Sequence, residues 1–326
     1  MPTAVVLYSE GLDSLLAIKL MLEQSINLKI IQFTTPFFEQ GDQALLIKKN
    51  YGIDLQQIDI TTSFLNILKD PEYGYGKCLN PCIDCKILML KEAKKLLLEF
   101  NASFIVTGDV VGQRPMTQQK NILRLIEKKS DLVGLILRPL SARLLPITIP
   151  EEKGYVDRSL LLDINGRSRK PQINLAKRFK IGEGDYKAPA GGCFLTNPNY
   201  AGRLKLLLQH CPEPDYIDLK FLSIGRHFYL SPNSRLIIGR DQEENQQLLS
   251  FKNKASLILQ PKKVAGPTAI LLGNNDEAIS RLASSLMSKY IKLPEHSPGQ
   301  VDKVEIQCLN QDLLPLNSIL VTKSSG

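Results

Sequence analysis

Two short stretches hold residues whose types and spacing allow chemistry. In "VVLYSEGLDSLLA", Ser9, Gly11, Asp13 and Ser14 fall between an apolar run and a helical pattern that opens on good capping residues. Successive backbone N–H groups in such a turn, with the positive end of the helix behind them, make a seat for an anion such as pyrophosphate. Glu10 stands inside that turn, and a carboxylate beside phosphate is unfavourable unless it points away or holds a magnesium ion. The second stretch, "KCLNPCIDCK", contains Cys78, Cys82 and Cys85. Cys82 and Cys85 are spaced so that both thiolates reach one metal centre from the first turn of the following helix, whose positive end favours the thiolate form. Cys193, in "GGCFLT", lies far off in sequence, in a glycine-flanked turn where a side chain approaches a ligand closely. Three such thiolates leave one position open for sulfide or a substrate sulfur. The metal-free alternative is a persulfide on one cysteine that attacks an activated carbon, with a second cysteine resolving it as a disulfide. Cys211 and Cys308 read as small buried hydrophobes.

These residues need a scaffold, and the first half of the chain supplies its pattern. Thr3 to Leu7, Lys29 to Phe33, Gln57 to Ile60 and "SFIVTG" read as buried strands, separated by helical patterns over Leu12 to Leu22 and "CKILMLKEAKKLLLEF". Such alternation predicts a parallel sheet with helices on both faces and a ligand site beyond the carboxyl ends of the strands, where Ser9, Gly108 and Asp109 fall. The segment from Gly166 to Lys187 is rich in Arg and Lys, the helix "YAGRLKLLLQH" follows, and "CPEPD" reads as a linker. Beyond it, strands are expected around Leu219 to Ser223, Leu236 to Gly239, Ser256 to Leu259, Ala269 to Leu272, Val304 and Ile319, with a helix over Glu277 to Tyr290. The expectation is an α/β domain over 1–211 and a smaller α+β domain over 212–326. At 326 residues the chain is long enough for both, and a formal charge of +8 suits a polyanionic partner. The first apolar run, Ala4 to Leu7, is four residues long and Asp13, Lys19 and Glu23 interrupt the next, so no leader or membrane span is expected and a cytoplasmic location follows.

The Ser9–Ser14 turn resembles the S-G-G-x-D-S signature of the PP-loop ATP pyrophosphatases, with Glu10 in place of the first glycine. The "NPCIDC" and "GGCFLT" segments are similar to the two cysteine motifs of the tRNA thiolation enzymes in that class, the 2-thiouridylases and 4-thiouridine synthases. "VTGDVVGQRPMTQQ" is similar to the T-G-E-x-x-G-Q segment of the 4-thiouridine synthases, with Asp109 for glutamate. The resemblance covers about Thr3 to Asn197.

It implies a PP-loop (adenine nucleotide alpha hydrolase-like) fold and ATP-dependent sulfur transfer to a tRNA uridine. ATP and Mg2+ would be held by Ser9, Gly11, Asp13, Ser14, Gly108, Asp109 and Gln113, and catalysis assigned to Asp13, Cys85 and Cys193. Cys82 falls where many 2-thiouridylases have aspartate. A cysteine there resembles the cluster-binding thiolases and implies a 4Fe-4S centre on Cys82, Cys85 and Cys193. The sulfur donor would be sulfide or a persulfide carrier. Arg114, Arg167, Arg169, Lys170, Lys177 and Arg178 are the expected tRNA contacts, with Gln118 also near phosphate or the target base. "SRLIIGRDQEENQQLLSF" resembles part of the RNA-binding region of NFACT proteins, which would add Arg226, Arg235 and Arg240. Three rivals remain: an iron–sulfur protein with a degenerate nucleotide loop, a radical SAM enzyme using the C-x3-C-x2-C spacing that includes Cys78, and a non-catalytic RNA-binding protein.

Overall fold

The computed structural model describes residues 1–38, 44–52, 54–187, 192–292, 302–309 and 318–323. The chain divides into two compact units, Met1–Ala201 and Gly202–Gly326. The expected boundary at 211/212 lies at the end of the helix Pro198–His210, whereas this division falls inside it.

The first unit contains β1 (Thr3–Leu7), α1 (Leu12–Glu23), β2 (Asn27–Thr34), α2 (Ala44–Tyr51), β3 (Leu55–Asp59), α3 (Thr61–Lys69), α4 (Cys82–Glu99), β4 (Phe104–Thr107), α5 (Lys120–Lys129), β5 (Ile136–Leu137), α6 (Ile149–Glu152) and α7 (Lys170–Arg178). Its sheet runs β3-β2-β1-β4-β5 with every pairing parallel. Period-two alternation decides which residue faces which layer. Ala4, Val6, Ile30, Phe104 and Val106 join α1 in one core, while Val5, Ile31, Phe33 and Ile105 join α4 in the other. The chain moves outward from β1 to β3 and then returns to the far side of β1 as β4, so strand order reverses between β1 and β4. Leu7 pairs with Thr107, which brings the turns after β1 and β4 side by side at the carboxyl edge.

The helix α7 packs against α1. Leu175 and Ala176 sink into the same core as Leu12, Leu15 and Leu16. One face of the basic 166–187 segment is therefore held against the unit that carries the Ser9–Ser14 turn.

After α8 (Pro198–His210), the second unit contains α9 (Tyr216–Phe221), β6 (Arg226–Ser231), β7 (Ser234–Ile238), α10 (Gln242–Ser250), β8 (Leu257–Pro261), β9 (Ala269–Gly273), α11 (Glu277–Ser288), β10 (Asp302–Cys308) and β11 (Ser318–Lys323). Its antiparallel sheet has the order β11-β10-β8-β9-β7-β6. Cys308 is buried in its core, as the sequence suggested, and Cys211 is half-buried.

Leu219 to Ser223, expected as a strand, is instead mostly covered by the helix α9. Asp215 accepts a hydrogen bond from the Asp218 N–H at 2.9 Å while Asp218 accepts from the Asp215 N–H at 3.3 Å, a reciprocal cap that commits the segment to helix.

His227 sits in this unit with its Nε2 3.0 Å from the Phe221 carbonyl and 2.9 Å from that of Ile224. Burial, reinforced by the charges of Arg235 and Arg203, pulls its pKa down to about 3. The unfolded imidazole protonates below about pH 6.5 whereas the folded one stays neutral, so this contribution to stability is present above that pH and is lost as pH falls toward 3. Between pH 7 and pH 5 the expected loss from this group is about 2 kcal/mol. Urea unfolding followed by circular dichroism should show it, and His227→Gln should remove that share of the pH dependence; an unchanged slope in the variant would contradict it.

Candidate nucleotide and sulfur-transfer site

The turn after β1 is built around a strained residue. Glu10 adopts φ 60°, the left-handed region in which the related signature has glycine, and Gly11 follows at the start of α1. A side chain in that conformation costs about 1–2 kcal/mol, and the surroundings must over-determine it. They do. The carboxylate is 1% exposed, its Oε2 lies 2.6 Å from Lys187 Nζ, and its Oε1 accepts from Gln32 Nε2 at 2.9 Å. The Lys187 N–H also donates to the Glu10 carbonyl at 2.8 Å, and Lys187 pairs with Gly11 as a short parallel bridge. The carboxylate is neutralised by a half-buried partner, and the turn is tied to the segment that precedes Cys193.

Inside the turn, Ser14 Oγ accepts from the Ser9 N–H at 3.2 Å and donates to the Gly11 carbonyl at 2.8 Å. Gly108 closes on it from β4. A Cβ there would lie 2.5 Å from the Ser14 nitrogen, so only glycine lets the two turns touch. Asp13 accepts from Gln113 Nε2 at 2.7 Å, and its Oδ1 lies 4.0 Å from the Arg169 guanidinium. Burial raises the Asp13 pKa, opposed by Gln113, Arg169 and Arg114.

Asp109, expected beside magnesium, is instead a buried tie between β4 and α4. Its Oδ1 is 2.9 Å from Lys86 Nζ and accepts from Gln118 at 3.1 Å, while its Oδ2 accepts from Thr107 Oγ1 at 2.8 Å. Burial works against ionisation, but the charges of Lys86 and Arg138 and the bonds it accepts hold the carboxyl well below the usual carboxylate range. Lys86 directly follows Cys85, so this pair sets the cysteine helix against the nucleotide side of the sheet.

Cys82 and Cys85 lie in the first turn of α4, and Cys193 caps a short turn over Phe194–Thr196. The Cys193 turn is held by a bridge to Phe38 and by the Phe194 N–H donating to the Phe37 carbonyl at 2.9 Å. Burial pushes the Cys85 thiol far up, with the neighbouring Cys193 and Cys82 adding to the shift. Burial also pushes the Cys193 thiol up to about 11 against the pull of the Leu195 and Thr196 N–H groups and the Arg114 charge; Cys82 adds to the rise. Cys82 accepts from Asn80 Nδ2 at 3.0 Å. Cys78 donates to the Thr196 carbonyl at 3.5 Å, so all four of these cysteines gather on the same side of the unit. Asp84, between Cys82 and Cys85, caps the preceding loop by accepting from the Glu72 and Tyr73 N–H groups at 3.0 and 3.2 Å. Among the described residues, no group of three His, Cys, Asp or Glu side chains is arranged as a closed metal-binding set.

The expected RNA contacts separate into two groups. Arg167, Lys170, Lys177 and Arg178 are exposed, whereas Arg169 turns inward to Asp13. Exposed Arg114 lies within electrostatic reach of both Asp13 and Cys193. In the second unit Arg235 is 5% exposed and bound to Asp218 at 3.1 Å, which withdraws it from the expected phosphate-binding face, while the exposed Arg240 is held by Glu244. Arg226 lies over the Tyr290 ring at 4.6 Å.

Residues 2–143 match the family model described as "Thiamine biosynthesis protein (ThiI)". Those residues of the first unit resemble that family. The resemblance read from the separated motifs is borne out, and residues 225–322 match "NFACT protein RNA binding domain", which bears out the shorter resemblance in the second half. No curated protein matches the sequence.

Among solved structures, a "4-thiouridine synthetase - RNA complex with bound ATP" is 20% identical with a TM-score of 0.37, covering 68% of this chain and 52% of that one. The chain thus spans about half the length of that synthetase. A predicted subunit of tRNA methyltransferase from Methanocaldococcus jannaschii is 13% identical with a TM-score of 0.32, covering 60% of this chain and 96% of that one. NMN synthetase from Francisella tularensis is 13% identical with a TM-score of 0.30, covering 58% and 88%.

The Glu10–Lys187 pair gives a direct test. Lys187→Met strands a buried carboxylate and should cost about 3–5 kcal/mol in urea unfolding, and adding Glu10→Gly should recover most of it. A loss below about 1 kcal/mol, the range of surface pairs, would show that the pair is no anchor.

Proposed function

We propose that the protein is a cytoplasmic ATP-dependent tRNA sulfurtransferase that adenylates a uridine carbonyl oxygen and replaces it with sulfur. The observation that carries this reading is the loop from Gln113 to Gln118, where Gln113 donates to Asp13 in the nucleotide turn and Met116 meets Asn80, the residue that donates to Cys82. A phosphate-binding turn and a sulfur-bearing turn linked by one loop suit a reaction in which phosphate leaves as sulfur arrives.

Ser9, Gly11, Ser14 and Gly108 form the seat for ATP. Asp13 Oδ1, buried without a hydrogen-bond partner, suits the magnesium ion that accompanies it. The uridine oxygen attacks the α-phosphorus and pyrophosphate departs, which turns a poor leaving group into a good one. Sulfide then adds to the carbon and AMP leaves with the original oxygen; where a persulfide carrier delivers the sulfur, its terminal sulfur adds, AMP leaves, and a second cysteine thiolate attacks the carrier sulfur, breaking the S–S bond to free the thiocarbonyl and form a disulfide. Arg114 steadies the negative charge between the two steps. The base must leave its stack to enter, and Arg167, Lys170, Lys177, Arg178 and the NFACT-like second unit are assigned to holding the tRNA while it does.

Cys82 and Cys85 in the first turn of α4, and Cys193, whose turn meets Cys78 through the Thr196 carbonyl, are the thiols that would hold a 4Fe-4S cluster. Bound there, a cluster would supply an open iron position for sulfide. The C-x3-C-x2-C spacing that suggested radical SAM chemistry sits at the start of α4, after three strands of an open sheet, and does not favour that rival.

Recombinant protein incubated with ATP, magnesium, sulfide and unmodified tRNA should produce a thiouridine detectable by mass spectrometry, and Cys193→Ala should abolish it. Absence of any thionucleoside, with anaerobically prepared protein and persulfide also tried, would overturn the reading. Iron and acid-labile sulfide contents after anaerobic reconstitution should fall in Cys82→Ser; contents equal to wild type would remove Cys82 from the cluster assignment.

A further inference from the structure

Three buried polar atoms without hydrogen-bond partners, Asp13 Oδ1, Arg169 Nε and Gln172 Oε1, belong to side chains joined around one point. Gln172 is fully buried on α7 and its Nε2 donates to Gln113 Oε1 at 2.8 Å. Gln113 Nε2 in turn donates to Asp13 Oδ2 at 2.7 Å. Arg169, directly before α7, brings its guanidinium 4.0 Å from Asp13 Oδ1. A buried donor or acceptor is expected to be satisfied, and three orphans in one connected set indicate that something binds among them. Their chemistry defines it. A carboxylate oxygen and an amide oxygen take a hard cation or its water, and a guanidinium N–H takes an anionic oxygen. Together they fit a phosphate that arrives with its own divalent cation.

We infer that Arg169 and Gln172 belong to the nucleotide site: Arg169 binds a phosphate oxygen of the magnesium nucleotide, and Gln172 is a positioning residue that acts through Gln113. The amide relay explains the second role. With its Oε1 held by Gln172, Gln113 presents Nε2 to Asp13 Oδ2 and leaves Oδ1 turned toward the cation. The placement follows from packing. Leu175 and Ala176 draw α7 onto α1, and the Gly166 N–H donates to the Val111 carbonyl at 2.8 Å, which holds the start of this segment beside Gln113. Arg169 thereby leaves the set of RNA contacts to which its basic neighbours were assigned. The inference rests on the ATP-dependent reading above and adds to it a nucleotide contact from outside the two sheet-edge turns.

Calorimetric titration with α,β-methylene ATP, with magnesium and with EDTA, tests it alongside tRNA filter binding across a salt series. Arg169→Ala should weaken the magnesium-bound analogue by about tenfold or more, Arg169→Lys should restore part of that loss, and tRNA affinity should stay within about twofold of wild type. Gln172→Met, close in volume and lacking the amide that donates to Gln113, should chiefly remove the magnesium-dependent part of the affinity, which a loss of packing alone would not single out.

If wild type binds the analogue and both variants bind it equally well, this inference falls while the proposed function stands. Weakened tRNA binding with a flatter salt dependence and unchanged nucleotide affinity would return Arg169 to the RNA surface. If wild type binds no nucleotide, the inference and the proposed function fail together.

Discussion

The buried pair between Glu10 and Lys187 is the constraint on which the site depends. A glutamate at φ 60° is strained, and a carboxylate at 1% exposure beside a phosphate seat would repel the ligand if left alone. Lys187 Nζ at 2.6 Å and the Gln32 amide at 2.9 Å resolve both problems, since they fill the acceptor sites of the carboxylate and fix its side chain in the interior. The departure from glycine in the signature is therefore compatible with an intact anion seat. It also adds a coupling that glycine cannot provide, because the Lys187 backbone bridges to Gly11 in the same stroke.

That coupling brings the parts of the site into one neighbourhood. The reversal of strand order sets the turn after β1 against the turn after β4, and Gly108 permits backbone contact there. Asp109 and Lys86 tie the end of β4 to the helix that presents Cys82 and Cys85. The loop from Gln113 to Gln118 crosses the remaining gap. Gln113 reaches Asp13, Arg114 acts on Asp13 and Cys193, Met116 meets Asn80 beside Cys82, and Gln118 reaches Asp109. Charges and polar contacts organise this side of the sheet.

Much of this was legible in the sequence because it is local. The strands, the helices α1 and α4, and the phosphate turn are written in hydrophobic period and capping residues, and β1 begins and ends at the residues expected. What was not legible depends on partners distant along the chain. No local signal joins Glu10 to Lys187, and a run of Arg and Lys does not say which member faces inward. Arg169 does, because Leu175 and Ala176 dictate the rotation of α7, a periodicity present in the sequence but masked by its charge. Gln172 carried no signal except its place one turn before Leu175, on the buried face. The segment after Asp215 was misread as a strand because Ile217, Leu219 and Phe221 alternate with Asp218 and Lys220, and because Asp215, its helix cap, was taken as the end of a linker.

In the proposed reaction a nucleotide turn containing Glu10 splits ATP between its α and β phosphates when a uridine is presented. The most direct measurement is to incubate the purified protein with α-labelled ATP, magnesium and unmodified tRNA and to separate the products. AMP and pyrophosphate should form in equal amounts, and only when tRNA is present. Release of ADP and phosphate, or no tRNA-dependent turnover by a protein that binds both ligands, would contradict it.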